Sequence, residues 1–138
     1  MNPDTLPEAP LASVIFENRL LYVCLAHYPL TKGHTIIVWK DPKADLHDLS
    51  DAEYAYFMAM LDITRDTLLE VLGVEKVYLI YLDEARHVHW HLVPRYNKKG
   101  YNVLMHKPVQ SDDFSLVPEI KILLERKLSE KTLTEPKP

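Results

Sequence analysis

The stretch HVHWHLV, His87 to Val93, constrains the chain more than any other. Seven histidines are spread over 138 residues, and three of them fall on alternate positions here, interleaved with Val88, Trp90 and Leu92. A helix would scatter these three rings around its axis. On a strand, successive side chains point to opposite faces, so His87, His89 and His91 share one face while the apolar residues between them share the other. The pattern therefore demands a strand that packs with one side and presents imidazoles with the other. Alternate residues lie roughly 6.5 to 7 Å apart along a strand, close enough for neighbouring rings to share one ligand. Each protonated ring disfavours charge on the next, so at least one stays neutral near pH 7, the form that a nucleophile or a metal ligand requires.

The rest of the chain supplies the scaffold for such a strand. Val14 to Phe16 and Leu21 to Ala26 read as two β segments joined by a turn around Glu17, Asn18 and Arg19. HTIIVWK, after Gly33, reads as a buried strand because Ile36, Ile37 and Val38 are consecutive and β-branched. Ser50 with Glu53 three positions on is the reciprocal capping pattern of a helix start. Tyr54, Phe57, Met58, Leu61, Leu68 and Leu72 then recur at helical spacing until Gly73 stops the helix. KVYLIYL and VHWHLV return to strand, Pro94 is expected to end or bend the second of them, and an amphipathic helix is expected from about Val117 to Leu128, with Ile120, Leu123 and Leu124 on its apolar side.

Strands, a long helix, strands and a final helix make a single α+β domain, expected over residues 13–128. Residues 1–12 read as a proline-rich arm, and 129–138 as a tail that lacks anything to bury and is expected to be disordered. At 138 residues and 47% hydrophobic, the chain suffices for one packed core and not for two ordinary domains. A formal net charge of -4 argues against a surface that neutralises a polymeric nucleic-acid backbone, while leaving room for a local site for one nucleotide. Cys24, the single cysteine, excludes an internal disulfide and reads as a small buried side chain. No run approaches the roughly 18 apolar residues of a spanning helix, so no membrane partner is expected and the location is read as cytoplasmic.

Two chemistries suit the histidine cluster. Zinc takes three or four ligands from His, Cys, Asp and Glu, and a His-x-His pair on a strand commonly supplies two of them. Nucleophilic chemistry at phosphorus needs instead a neutral imidazole, donors for the phosphate oxygens and a hydrogen bond that fixes the tautomer. PLTKGH, Pro29 to His34, favours the second, because it brings a turn, a glycine and a further histidine to the start of the most hydrophobic strand. The single histidines His27, His47 and His106 read as surface or satisfied core residues.

Pro-x-x-x-Gly-His, a buried strand, a long helix and a later His-φ-His-φ-His-φ-φ together resemble the histidine-triad superfamily of nucleotide hydrolases and transferases, from about Val14 to Pro94. The continuation WHLVPRY is similar to a bacterial branch described as similar to diadenosine tetraphosphate hydrolases. The resemblance implies an antiparallel sheet of about five strands with a long central helix and a C-terminal helix, commonly paired as a homodimer. It implies that His89 attacks the α-phosphorus of a nucleoside phosphate to form a covalent nucleotidyl-histidine, that His91 contacts the phosphate oxygens, and that His87 and His34 hold the nucleophile's geometry. The backbone around His87 would accept from the other ring nitrogen of His89.

This chain departs from the family pattern at two places. Many members carry an acidic or amide ribose acceptor eight positions before the Gly-His histidine, where Ala26 stands here. Asp83, Glu84, Ala85 and Arg86 replace a longer loop that contacts phosphate or the leaving group. Arg86 and Arg95 are the candidate phosphate-binding cations, each with an alternative role in a surface ion pair. Asn97 to Gly100 reads first as a turn with solvated lysines. The expected activity is hydrolysis or transfer at a nucleoside phosphate, of dinucleoside polyphosphate or nucleoside phosphoramidate type. It requires no cofactor and is compatible with a divalent cation on the substrate phosphates. Two alternatives stand beside it: a nucleotide-binding module with little turnover and, below that, a metal hydrolase ligated by the histidines.

Overall fold

The computed structural model describes residues 9–82, 87–96 and 105–137. Five strands form one antiparallel sheet: β1 (Val14–Glu17), β2 (Leu21–Leu25), β3 (Thr35–Trp39), β4 (Lys76–Tyr81) and β5 (His89–Arg95). Their order is β1-β2-β3-β5-β4, so β5 is inserted between β3 and β4 and lies inside the sheet. Two helices complete the domain, α1 (Asp51–Leu72) and α2 (Val117–Glu130). This is the α+β architecture expected, a five-stranded antiparallel sheet with a long central and a C-terminal helix.

Register sorts the sheet into two faces. Val23 pairs with Ile37, and Ile37 with Trp90, while one residue along Cys24 pairs with Ile36 and Ile36 with His91. Residues in the first row and those two positions away, among them Leu21, Leu25, Trp39, Val88 and Leu92, pack with Phe57 and Met60 of α1 and Ile120 and Leu124 of α2 into one core. Both helices therefore cover the same face. The histidines lie on the other.

Local chemistry explains where the elements begin and end. Ser50 Oγ accepts from Glu53 N–H at 3.1 Å while the Glu53 carboxylate accepts from Ser50 N–H at 2.8 Å, which closes the first turn of α1. Gly73 ends it in the left-handed region at φ 64°. Tyr54, expected on the apolar stripe, is 45% exposed. The buried stripe runs instead through Phe57, Met60, Leu61, Thr64 and Leu68. It includes two threonines that apolar spacing passes over, Thr64 and Thr67, whose hydroxyls donate to Met60 O and Ile63 O at 2.7 and 2.8 Å. Asn18 builds the β1–β2 turn, its Oδ1 accepting from Leu20 and Leu21 N–H.

Three expectations change. Pro94 neither ends nor interrupts β5, which continues to Arg95 opposite Lys76. The β3 ladder stops at Leu92, and Pro94 faces that vacated side, where its carbonyl accepts from Thr31 Oγ1 at 2.7 Å, so no sheet N–H is lost. Helix α2 runs to Glu130, two residues beyond the expected end. The following segment, read as having nothing to bury, packs Leu133 against the core, and Arg19 donates to Pro136 O at 2.5 Å across the β1–β2 turn. Among the described residues, no helix is long and apolar enough to cross a membrane.

Candidate active site

On the face away from the helices, a cleft of about 370 Å³ lies across β2, β3 and β5. Its floor is set by register. Tyr22 pairs with Val38, and Val38 with His89; one row along, Cys24 pairs with Ile36, and Ile36 with His91. Beyond that row Ala26 N–H donates to His34 O at 2.8 Å and extends the pairing past the strand ends. The cleft thus has an apolar floor and one imidazole edge, completed by Ala9 and Pro10 on one wall and His27 and Tyr28 at the rim.

His34 is the buried anchor of the imidazole edge, only 4% exposed. The PLTKGH turn wraps it. Leu30 N–H donates to His34 Nδ1 at 3.0 Å, and His34 N–H donates to Thr31 O at 3.1 Å. Gly33 makes the turn with φ 86°, a conformation that favours glycine, and a Cβ there would meet Leu72 Cδ1 at 2.7 Å, so that side chain would have to shift as well. Burial, with the nearby His91 ring, lowers the His34 pKa from 6.5 to about 3. Burial and the neighbouring His89 lower that of His91 to about 4. Both rings are neutral at pH 7.

Neutrality and obligate partners fix the tautomers. A backbone N–H only donates, so His34 Nδ1 is an acceptor and the ring proton sits on Nε2. His34 Nε2 lies 2.9 Å from His91 Nδ1 and donates to it. His91 is left with its own proton on Nε2, a donor. His89 has the opposite polarity. A carbonyl only accepts, so His89 Nδ1–H donates to His87 O at 2.8 Å, which leaves Nε2 as the nitrogen that can offer a lone pair. Two rings with centroids 5.2 Å apart thus pair a lone pair with a hydrogen-bond donor. That combination suits attack on an electrophile whose oxygens gain charge.

The structure brings His34, His89 and His91 to one cleft. His87 lies in the bend before β5, not on the strand, so the shared-face argument covers only His89 and His91, and His87 serves His89 through its carbonyl. Arg95, two positions past Val93 on the same parity, lies 3.9 Å from Glu75 at the far end of β5, and the cleft lining does not include it. Arg86 lies outside the described residues, as do Asp83, Glu84, Ala85 and residues 97–100, where a turn was expected. His47 stays at the surface between Asp45 and Asp48, at 2.8 and 3.4 Å.

His27 is the residue that sequence reading missed. It lines the cleft, and a strap from the far end of the chain closes on it: Ser111 N–H donates to His27 O at 2.8 Å, and Asp112 Oδ1 lies 3.1 Å from His27 Nε2. Nothing in the local pattern around His27 signals this, because its partners are 83 and 85 positions away. Among the described residues, no group of three or more His, Cys, Asp or Glu side chains is arranged to hold a metal ion.

Residues 8–98 match the family model described as the HIT domain, the histidine-triad domain. The chain is 28% identical to an uncharacterized HIT-like protein of Methanocaldococcus jannaschii over 116 residues, 80% of this chain and 89% of that one. It is also 28% identical to an adenosine 5′-monophosphoramidase of Saccharomyces cerevisiae over 102 residues, 72% of this chain and 64% of the yeast protein. Among solved structures, a zinc-bound histidine-triad family protein from Mycobacterium smegmatis superposes with TM-score 0.66 at 24% identity, covering 89% and 90% of the two chains. A diadenosine triphosphate hydrolase of Plasmodium falciparum superposes with TM-score 0.65 at 17% identity, covering 91% of this chain and 82% of that one. With the family model spanning well over half of the sequence and the imidazole cleft lying inside the matched region, the chain belongs to the HIT-domain family.

Proposed function

We propose that this protein is a nucleotide hydrolase or transferase that cleaves a phosphoanhydride or phosphoramidate bond at the α-phosphorus of a nucleoside phosphate, with His89 as nucleophile. The observation that carries the reading is the opposed polarity of His89 and His91, one ring offering a lone pair and the other an N–H into the same cleft. In the first step His89 Nε2 forms a bond to phosphorus as the bond to the leaving group breaks, and the leaving group departs with the electron pair. His91 Nε2–H donates to a phosphate oxygen as charge builds there. In the second step water attacks phosphorus, the phosphorus–nitrogen bond breaks, and the imidazole recovers its lone pair. His34 keeps His91 in the donating tautomer, and the His87 carbonyl keeps His89 in the nucleophilic one. The activity of the yeast relative, named as an adenosine 5′-monophosphoramidase, is compatible with this chemistry.

No cofactor is needed in this scheme, so turnover persists in chelator. The scheme is compatible with a divalent cation that accompanies a polyphosphate substrate as its counterion. Two rivals remain, a binding module with little turnover and a histidine-ligated metal hydrolase. Intact-protein mass after brief reaction with adenosine phosphoramidate or diadenosine polyphosphates, quenched in alkaline denaturant, separates all three. A gain of one adenylyl group in wild type, absent in His89→Ala and His89→Gly, together with a fall in turnover on the order of 10⁴ or more, is the expected result. Binding without adduct or turnover favours the module, and turnover abolished by chelator favours the metal hydrolase.

We also read the protein as a homodimer. β4 is an edge strand that carries the exposed Leu79, with exposed Leu82 just beyond it, an apolar edge suited to pairing with a second copy. Sedimentation equilibrium at micromolar concentration, with Leu79→Lys shifting a dimer toward monomer, tests this.

A further inference from the structure

Pro94 interrupts the sheet at the point where the imidazole edge begins. Strands β3 and β5 pair antiparallel, and Trp39 N–H donates to Val88 O at 2.9 Å. Hydrogen-bonded pairs recur at every second residue of such a ladder, so Ile37 with Trp90 and Thr35 with Leu92 are of the same kind, and the next would be Gly33 with Pro94. The two do face each other, since a Cβ on Gly33 would lie 3.5 Å from Pro94 Cγ. Proline has no N–H to donate, so this rung cannot form in full. Two threonine hydroxyls serve the rung instead. Gly33 O accepts from Thr35 Oγ1 at 2.9 Å, and Pro94 O accepts from Thr31 Oγ1 at 2.7 Å.

Of these two bonds, only that of Thr31 crosses from the turn to β5. Thr31 also holds His34, because its carbonyl accepts from His34 N–H at 3.1 Å, while Leu30 N–H, one residue earlier, donates to His34 Nδ1 at 3.0 Å. On β5, His91 stands three positions before Pro94, and its Nδ1 lies 2.9 Å from His34 Nε2. The contacts close a ring: from Thr31 to Pro94, along β5 to His91, across to His34 and back to Thr31.

We propose that Thr31 is a positioning residue for the imidazole edge: its hydroxyl replaces the rung that Pro94 cannot make and sets the separation at which His34 donates to His91. The consequence for turnover rests on the nucleotide reading given above; the placement of the ring protons does not. Without the hydroxyl, Pro94 O loses its donor from the turn, and the turn can draw away from β5. His34 then reaches His91 over a longer distance, and the His91 ring exchanges between its two tautomers instead of keeping its proton on Nε2. Tyr96 OH, which donates to Lys32 O at 2.5 Å, ties the same two segments, but Tyr96 is exposed and its bond competes with water.

Thr31→Val keeps the branched shape and removes the hydroxyl, whereas Thr31→Ser keeps the hydroxyl. Thr67→Val is the control, since Thr67 is a buried threonine of α1 whose hydroxyl donates to Ile63 O at 2.8 Å and which does not line the cleft. Nitrogen-15 NMR of the imidazole rings at pH 7.5 reads which nitrogen of His34 and His91 carries the proton, and steady-state kinetics on adenosine phosphoramidate reads turnover. In Thr31→Val we expect His91 to divide between its tautomers and kcat to fall on the order of tenfold to 10²-fold with KM little changed. Thr31→Ser restores both, and Thr67→Val lowers the urea midpoint while leaving both at the wild-type level. Should Thr31→Val not fold, Thr31→Ala is read in the same way.

Wild-type tautomers in Thr31→Val overturn the proposal, as does a tautomer change that Thr67→Val reproduces or that Thr31→Ser fails to correct. In an active protein, a tautomer change that leaves kcat unaltered overturns it too, because the ring geometry would then not govern the reaction. Thr31-dependent tautomers in a protein that turns over no nucleotide keep the clamp and remove the nucleotide reading. A His89 adduct with unchanged tautomers in Thr31→Val does the reverse.

Discussion

His34 acts through its two ring nitrogens, one held by Leu30 N–H and the other donating to His91. Glutamine can keep both roles, since its amide oxygen accepts and its nitrogen donates, whereas alanine removes both and leaves a void in a buried position. We expect His34→Ala to lower kcat by about 10²- to 10³-fold, the cost of losing one preorganised donor, and His34→Gln to recover a substantial part of it. Steady-state kinetics on a phosphoramidate, with circular dichroism to check folding, makes the comparison. The Gly-His pair marked His34 in the sequence because a glycine before a buried strand is a local signal. His27 carried no such mark, since its role depends on a strap that arrives from residues 110–115.

The elements that position these residues are governed by a few contacts. Gly33 holds the turn before β3 at φ 86° against Leu72, the last residue of α1. Gly33→Ala should destabilise by about 1 to 3 kcal/mol and displace His34 as well, so both the urea midpoint and the turnover should fall. Phe57 is fully buried, its ring centroid 5.3 Å from that of Trp39, where α1 meets the sheet. Phe57→Ala should cost about 3 to 5 kcal/mol in chemical denaturation. The positions of strands and helices were legible because alternation, β-branching and the Ser50–Glu53 cap are local. The buried stripe of α1 was less so, because Thr64 and Thr67 sit in it with hydroxyls satisfied by the helix's own carbonyls. The course of β5 through Pro94 was not legible, because whether a proline disrupts a strand depends on the neighbour that its missing N–H would have faced.

At the scale of the whole molecule, the buried His34 and the half-buried His91 couple folding to pH. Their folded pKa values, about 3 for His34 and about 4 for His91, lie below the unfolded value of 6.5, so the unfolded chain binds more protons in acid. Their contribution to stability is present above pH 6.5 and is lost as pH falls through that value toward 4 and then 3. Urea unfolding between pH 7.5 and 4 should show this decline, and His34→Gln should make it shallower. The sequence by itself determined that β5 presents histidines on one face and apolar residues on the other, that one long capped helix and one shorter amphipathic helix accompany the sheet, and that a Gly-His turn enters the buried strand. Periods of two and 3.6 residues and a cap three positions long are properties of neighbours along the chain, so they are written locally. Only the tertiary structure decided that β5 is inserted between β3 and β4, that His34 meets His91 across 57 positions, and that the strap brings Asp112 to His27. Those outcomes follow from strand order and from burial of one continuous core, which no short window of sequence contains.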